Sequence, residues 1–191
     1  MSVMRYAGAI VLAGGFALTT ICGASAAGPF TLTSPAFKDS TPLAVKNAGN
    51  FKANPNCIGE NVSPPLAWAN PPEGTKSYAL VIFDPEGRNG LTFVHLVAYG
   101  IPASVTSFAE NELSKPGSKF VGGTNGFKLG YYMGPCTPPN TDMHHYFFLM
   151  IATDLEPTAL SPGLTYEQLA EKLAGHAKGA ASLVGLFKKP N

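Results

Sequence analysis

The chain has 191 residues with 13 Lys+Arg against 12 Asp+Glu, so it carries almost no net charge. A chain without a basic excess has no electrostatic footprint for nucleic acid or for tight binding to an anionic membrane surface. Its length suits one domain that buries its own core, with no low-complexity linker or repeat to mark a second.

In chain order, the first segment, MSVMRYAGAIVLAGGFALTTICGASAAGPF, has one basic residue, Arg5, followed by a long apolar run ending in small residues. This is the pattern of a secretory signal peptide over residues 1–26, with Ala24, Ser25 and Ala26 as the cleavage pattern, and it predicts a periplasmic or secreted domain over 27–191 without a stable membrane anchor. Cys22 leaves with the leader. Cys57 and Cys136 remain in a compartment where disulfides persist; they can form one bridge or stand as two buried thiols, and the sequence leaves both open.

The body is punctuated by 17 Pro and 21 Gly, and the apolar segments between the breaks are short, which predicts a mainly β domain with few helices. The segment GENVSPPLAW, Gly59 to Trp68, reads as a rigid loop entering a strand, with Trp68 as a core residue. Strands follow at Ser77 to Phe83 and at Thr92 to Tyr99, joined by the turn DPEGRNG. Asp84 and Glu86 sit at the end of the first of these and His95 lies inside the second. The two carboxylates, two residues apart, are expected to point the same way and to hold a neighbouring imidazole.

The stretch from Gly123 to Tyr146 then builds a long Gly/Pro loop that delivers His144, His145 and Tyr146 to the strand His144 to Thr153, whose continuous hydrophobicity suits a central position. Alternation puts His144 and Tyr146 on one face and turns His145 away, so the pair is not expected to bind one metal. His144 and Tyr146 can both donate to an anionic oxygen. Near the end, Thr165 and Gln168 form a capping box before an amphipathic helix carrying Leu169 and Leu173, closed by Gly175. Ala177 to Leu186 reads as a second short helix or as a helix leading into a strand.

GENVSPPLAW, then DPE with a histidine in the following strand, then GPCTPP followed by HHY, resemble in order and spacing the phosphatidylethanolamine-binding protein family, in its bacterial, Raf-kinase-inhibitor-like branch. The resemblance extends from about Phe30 to Phe187. It implies a large central β-sheet packed on a smaller one, a C-terminal helix beside a shallow pocket, and a pocket for phosphate-like or acetate-like anions and phospholipid head groups. By position, the implied ligand-binding residues are Asp84, Glu86, His95, His144 and Tyr146, with Gly134, Pro135 and Pro138 in the rim loop. The chain departs from the family in having Glu86 for a second aspartate, Gly87-Arg88 for an Ala-Pro turn, Phe93 and Leu96 for tryptophans, and an added residue, Thr137.

The expected activity is binding without turnover, with no cofactor and no metal. Partners are a small anionic ligand or a phospholipid head group, and a protease or another protein through surface loops. A hydrolase of a small phosphate or acyl ester is the competing reading, since Asp84, His95, His144 and Tyr146 include acid and base groups, but no G-x-S-x-G elbow or other nucleophile stands out. A third reading is a protein-interaction module with an unused pocket.

Overall fold

In the computed structural model, the described residues are Met1, 28–139 and 141–190; the rest of the predicted leader and its cleavage site lie outside them. Nine strands are present among the described residues: β1 (Thr31–Thr33), β2 (Thr41–Pro42), β3 (Leu66–Ala69), β4 (Ser77–Asp84), β5 (Phe93–Pro102), β6 (Ser107–Phe108), β7 (Val121–Gly122), β8 (His144–Thr153) and β9 (Ala177–Phe187). A six-stranded sheet runs β2-β9-β8-β4-β5-β7, and a three-stranded sheet runs β1-β3-β6. All pairings are antiparallel except β2 with β9.

The hydrophobic periods explain this layering. On β4, Leu80 and Ile82 face the small sheet, where they join Leu32, Leu66, Trp68 and Phe108 in one core; Phe148 and Met150 of β8 and Leu96 of β5 complete it. The alternate residues Ala79 and Val81 face the other way, with Val97 and Tyr99, and are covered by helix α1 (Tyr166–Leu173) through Leu169 and Leu173. A sheet covered on both faces needs apolar residues at nearly every central position, and β4 and β8 have them. The predicted capping box is present: Thr165 Oγ1 accepts from the Gln168 amide, and Gln168 Oε1 accepts from the Thr165 amide.

The segment after the helix differs from expectation. Ala177 to Leu186 forms no second helix; it is most of β9, paired along its length with β8. Its burial alternates at Ala181, Leu183, Gly185 and Phe187, a period of two that the many Ala and Gly residues obscure in the sequence. The helix lies on the face of the large sheet opposite the small sheet, and none of its residues lines the cavity described below.

Cys57 and Cys136 are joined by a disulfide, with a Cα–Cα distance of 4.3 Å. The bond closes 79 residues of sequence separation and ties two irregular segments that share no ladder. In the chain-entropy account a loop of this length contributes about 4.5 kcal/mol before any native-state strain is subtracted. Reduction, or the Cys57→Ser/Cys136→Ser pair, is expected to lower unfolding stability by about 2–4 kcal/mol, read from urea unfolding with and without reductant.

Candidate functional site

A cavity of about 460 Å³ opens at the end of the large sheet where β4, β5 and β8 meet the Gly/Pro loop. Asp84, Glu86, His95, Pro138, His144 and Tyr146 all line it. Asp84 is the last residue of β4 and Tyr146 the third of β8, and both continue the core-facing rows of their strands. His95 reaches the same side through an irregularity. In the β4–β5 ladder Ile82 pairs with Leu96 and Phe83 with Val94, leaving His95 as the extra residue of a β-bulge. Bulges re-aim side chains, and this one lets the adjacent His95 and Leu96 both turn to the core side.

The two carboxylates take different imidazole partners. Asp84 is buried and holds His144 rather than His95: the His144 Nδ1–H donates to Asp84 Oδ2 at 2.7 Å, while Asp84 Oδ1 accepts from the Glu86 and Gly87 amides. Glu86 has already left the strand conformation, with φ −77° and ψ −17°. Its carboxylate accepts from the His145 amide and from His145 Nδ1 at 2.8 Å on the exposed side. Burial pushes the Asp84 carboxyl above its ordinary value despite the opposing pull of His144. For Glu86 slight burial pushes upward, but the His145 amide and imidazole outweigh it and the net shift is downward.

His95 is 3% exposed and its Nδ1–H donates to the Met133 carbonyl at 2.6 Å. Phe93, Phe127 and Tyr146 present their rings to it edge-on, with centroid distances of 5.2, 6.2 and 5.1 Å. Burial lowers its pKa to about 4, with the Met133 and Gly134 carbonyls opposing and the nearby His144 adding to the fall. The Tyr146 hydroxyl is pushed far up by burial and then by the Asp84 charge, so it keeps its proton.

Gly134 and Pro135 stand behind the cavity wall and do not line it. Gly134 crosses the backbone at Asn47 and Ala48 so closely that a Cβ would collide with the Asn47 carbonyl, and the Pro135 carbonyl accepts from the Gly49 amide. They set the course of the loop so that Cys136, Thr137 and Pro138 reach the wall. Asn54, Asn89, Phe127 and Thr141 also line the cavity, and sequence reasoning missed them. Asn54 carried a usable signal, since it lies three residues before Cys57. Arg88 stands exposed at the mouth in the turn Gly87–Gly90, where Arg88 and Asn89 both have positive φ, and it forms no ion pair among the described residues.

Asp84, Glu86 and His144 each offer a donor atom within 4.8 Å of the others, a set that could in principle hold a cation. Each already has an internal partner, however, and a metal would have to break the Asp84–His144 bond or the Glu86–His145 pair to enter. His144 Nδ1 is committed to Asp84, which leaves Nε2 as the ring's second hydrogen-bonding position.

Two predictions follow from these environments. Between pH 6.5 and about 4 the unfolded chain protonates at His95 while the folded chain does not, so His95 makes stability fall as the pH drops, by on the order of 3 kcal/mol over that window. The upward-shifted Asp84 acts with the opposite sign at the acid end. The difference in urea midpoints between wild type and His95→Gln is expected to shrink steadily from pH 7 to 4.5. Separately, the Thr137 hydroxyl is buried without a hydrogen-bond partner. Thr137→Val should therefore raise stability by about 1 kcal/mol in thermal or chemical unfolding.

The sequence model of the phosphatidylethanolamine-binding protein family matches residues 33–188. A Mycobacterium tuberculosis protein named as a lipoprotein, LppC, is 38% identical over 167 residues, covering 86% of this chain and 75% of its own. The UPF0098 protein of Aquifex aeolicus is 34% identical over 145 residues, covering 75% of this chain and 84% of its own. Among solved structures, E. coli YbcL, described as a member of the mammalian PEBP family, superposes with a TM-score of 0.73 at 27% identity, over 83% of this chain and 98% of YbcL. A phosphatidylethanolamine-binding protein homologue from Chlamydia trachomatis, CT736, gives 0.71 at 30% identity, over 84% and 98%. With its two packed sheets and a sequence match over most of its length, the chain belongs to the phosphatidylethanolamine-binding protein family.

Proposed function

We propose that this protein is an exported binding protein whose pocket takes a small anion, either a phosphate- or carboxylate-like group or a phospholipid head group, and that it acts by holding the ligand rather than by converting it. The observation that carries this reading is the Asp84–His144 pair at the wall of an open cavity. A buried carboxylate behind an imidazole stabilises its charged form when an anion approaches the other ring nitrogen, and a charge-assisted bond of that kind is about twice as strong as a neutral one. Asp84, His95, His144 and Tyr146 are the proposed ligand-binding residues, with Pro138 at the rim and Arg88 at the mouth.

Absence of turnover is supported by what surrounds these groups. The sulfur of Cys136 is committed to Cys57 and offers no thiolate. Ser63 is fully buried, and its hydroxyl accepts from the Leu113 amide. Thr141 Oγ1 donates to the Pro138 carbonyl. An acid-base pair without an activated nucleophile beside it has the parts of a binding site. Export is supported by the leader pattern and by the name of the mycobacterial relative.

The test is an NMR titration with phosphoethanolamine, following the imidazole signals of wild type and His144→Ala. Saturable shifts at His95 and His144 in wild type, weakened at least tenfold in His144→Ala (about 1.4 kcal/mol or more), are the expected result. No shift at millimolar ligand would move the protein-interaction reading to first place.

A further inference from the structure

The two imidazoles that face the cavity are bound from behind by opposite partners. His144 has a carboxylate bonded at Nδ1, so when an anion meets Nε2 the ring can serve as a donor at both nitrogens. His95 has a carbonyl oxygen at Nδ1, 2.6 Å away, which has no hydrogen to give and therefore fixes a proton on that nitrogen. No carboxylate bonds the His95 ring. Asp84 Oδ2 is taken by His144, and Oδ1 by two backbone amides. The ring is enclosed by Phe93, Phe127 and Tyr146, an environment that disfavours a second proton, consistent with its lowered pKa. A neutral imidazole with its proton on Nδ1 presents a bare lone pair at Nε2. His95 therefore accepts, and an anionic oxygen without a hydrogen placed against it would meet lone pair with lone pair.

We propose that the pocket selects anions that still carry a proton, with the ligand's O–H donated to His95 Nε2 and its charged oxygens held on the His144 side. The chemical class this describes is the monoanion of a phosphate monoester, ROPO₃H⁻, or another oxyanion with one acidic hydrogen. A phosphodiester, the linkage inside an intact phospholipid, has no such hydrogen, and neither has sulfate. The inference rests on the anion-pocket reading above and narrows it.

Other titratable or charged groups face the same space, and the experiment must separate them from the ligand's own proton. Asp84 comes from β4, Glu86 and Arg88 from the turn after it, and His144 and Tyr146 from β8. Tyr146 stays protonated, and Glu86 is engaged by His145. Sulfate, a dianion throughout the neutral range, carries no proton of its own in that range and so reports the effect of these protein groups alone.

The affinities of methyl phosphate, dimethyl phosphate and sulfate for the purified protein should be compared at pH 6 and pH 8 by titration of the His95 and His144 signals. A phosphate monoester loses its last proton near pH 6, so the affinity for methyl phosphate relative to sulfate is expected to fall about 50-fold between the two pH values. At pH 6 dimethyl phosphate should bind about tenfold more weakly than methyl phosphate, because it leaves the His95 acceptor unsatisfied. An unchanged ratio of methyl phosphate to sulfate would overturn the inference while leaving the anion pocket standing. Failure of all three anions to perturb either histidine would remove the pocket reading and the inference together. A long-range ¹H–¹⁵N spectrum of the free protein at pH 7 adds a direct check: the His95 proton is expected on Nδ1 alone, and a proton on Nε2 would overturn the proposal.

Discussion

Two buried asparagine side chains hold the wall of the cavity where no ladder does. Asn125 donates to the His95 and Tyr131 carbonyls and accepts from the Phe127 and Leu129 amides, so one residue fastens the Gly/Pro loop to β5 and folds it back on itself. Asn61 donates to the Tyr132 carbonyl and accepts from the Gly134 amide. The Met133 carbonyl lies between those two contacts, and it is the atom that fixes the proton of His95. Loop backbone removed from water needs partners for its polar groups, since each one left unpaired costs about 1–3 kcal/mol. Here side-chain amides supply them, and the same bonds that make the loop affordable to bury also give it one shape.

The disulfide extends that constraint outward. Cys136 follows directly after Gly134 and Pro135, and its bond to Cys57 brings the segment with Asn54 to the cavity edge. The functional wall is thus assembled from three places in the sequence, tied by two amides and one covalent bond rather than by sheet pairing. Arg88 stands exposed at the mouth and Thr137 is buried in the wall, beside the Asp84–His144 and His95–Met133 contacts.

What distinguishes the two histidines chemically is their neighbours. A carboxylate behind one ring and a carbonyl behind the other make a donor position and an acceptor position from the same side chain type. Tyr146, brought to the His95 ring by the alternation of β8, keeps its hydroxyl protonated through burial and then through the Asp84 charge. The two sides of the cavity thus differ, with a carboxylate-backed imidazole on the β8 side and a carbonyl-backed imidazole on the β5 side.

The sequence by itself determined the β4, β5 and β8 strands, because their apolar runs bounded by Gly and Pro allow little else, and it determined that His144 and Tyr146 share a face, because alternation along a strand is a matter of backbone geometry. The capping box of α1 was legible for the same local reason. The partner of each charged group was not. Asp84 was expected to serve the histidine of its own hairpin, but it meets His144 of β8, which comes alongside β4 only when the sheet assembles. The turn of His95 into the cavity depends on a bulge whose register is set by pairing with β4, and the helical reading of Ala177 to Leu186 failed because pairing with β8 outweighed local composition. Local periodicity is written into a chain, whereas the choice among several carboxylates, carbonyls and imidazoles is made by long-range pairing, and that is where the chemistry of this pocket was decided.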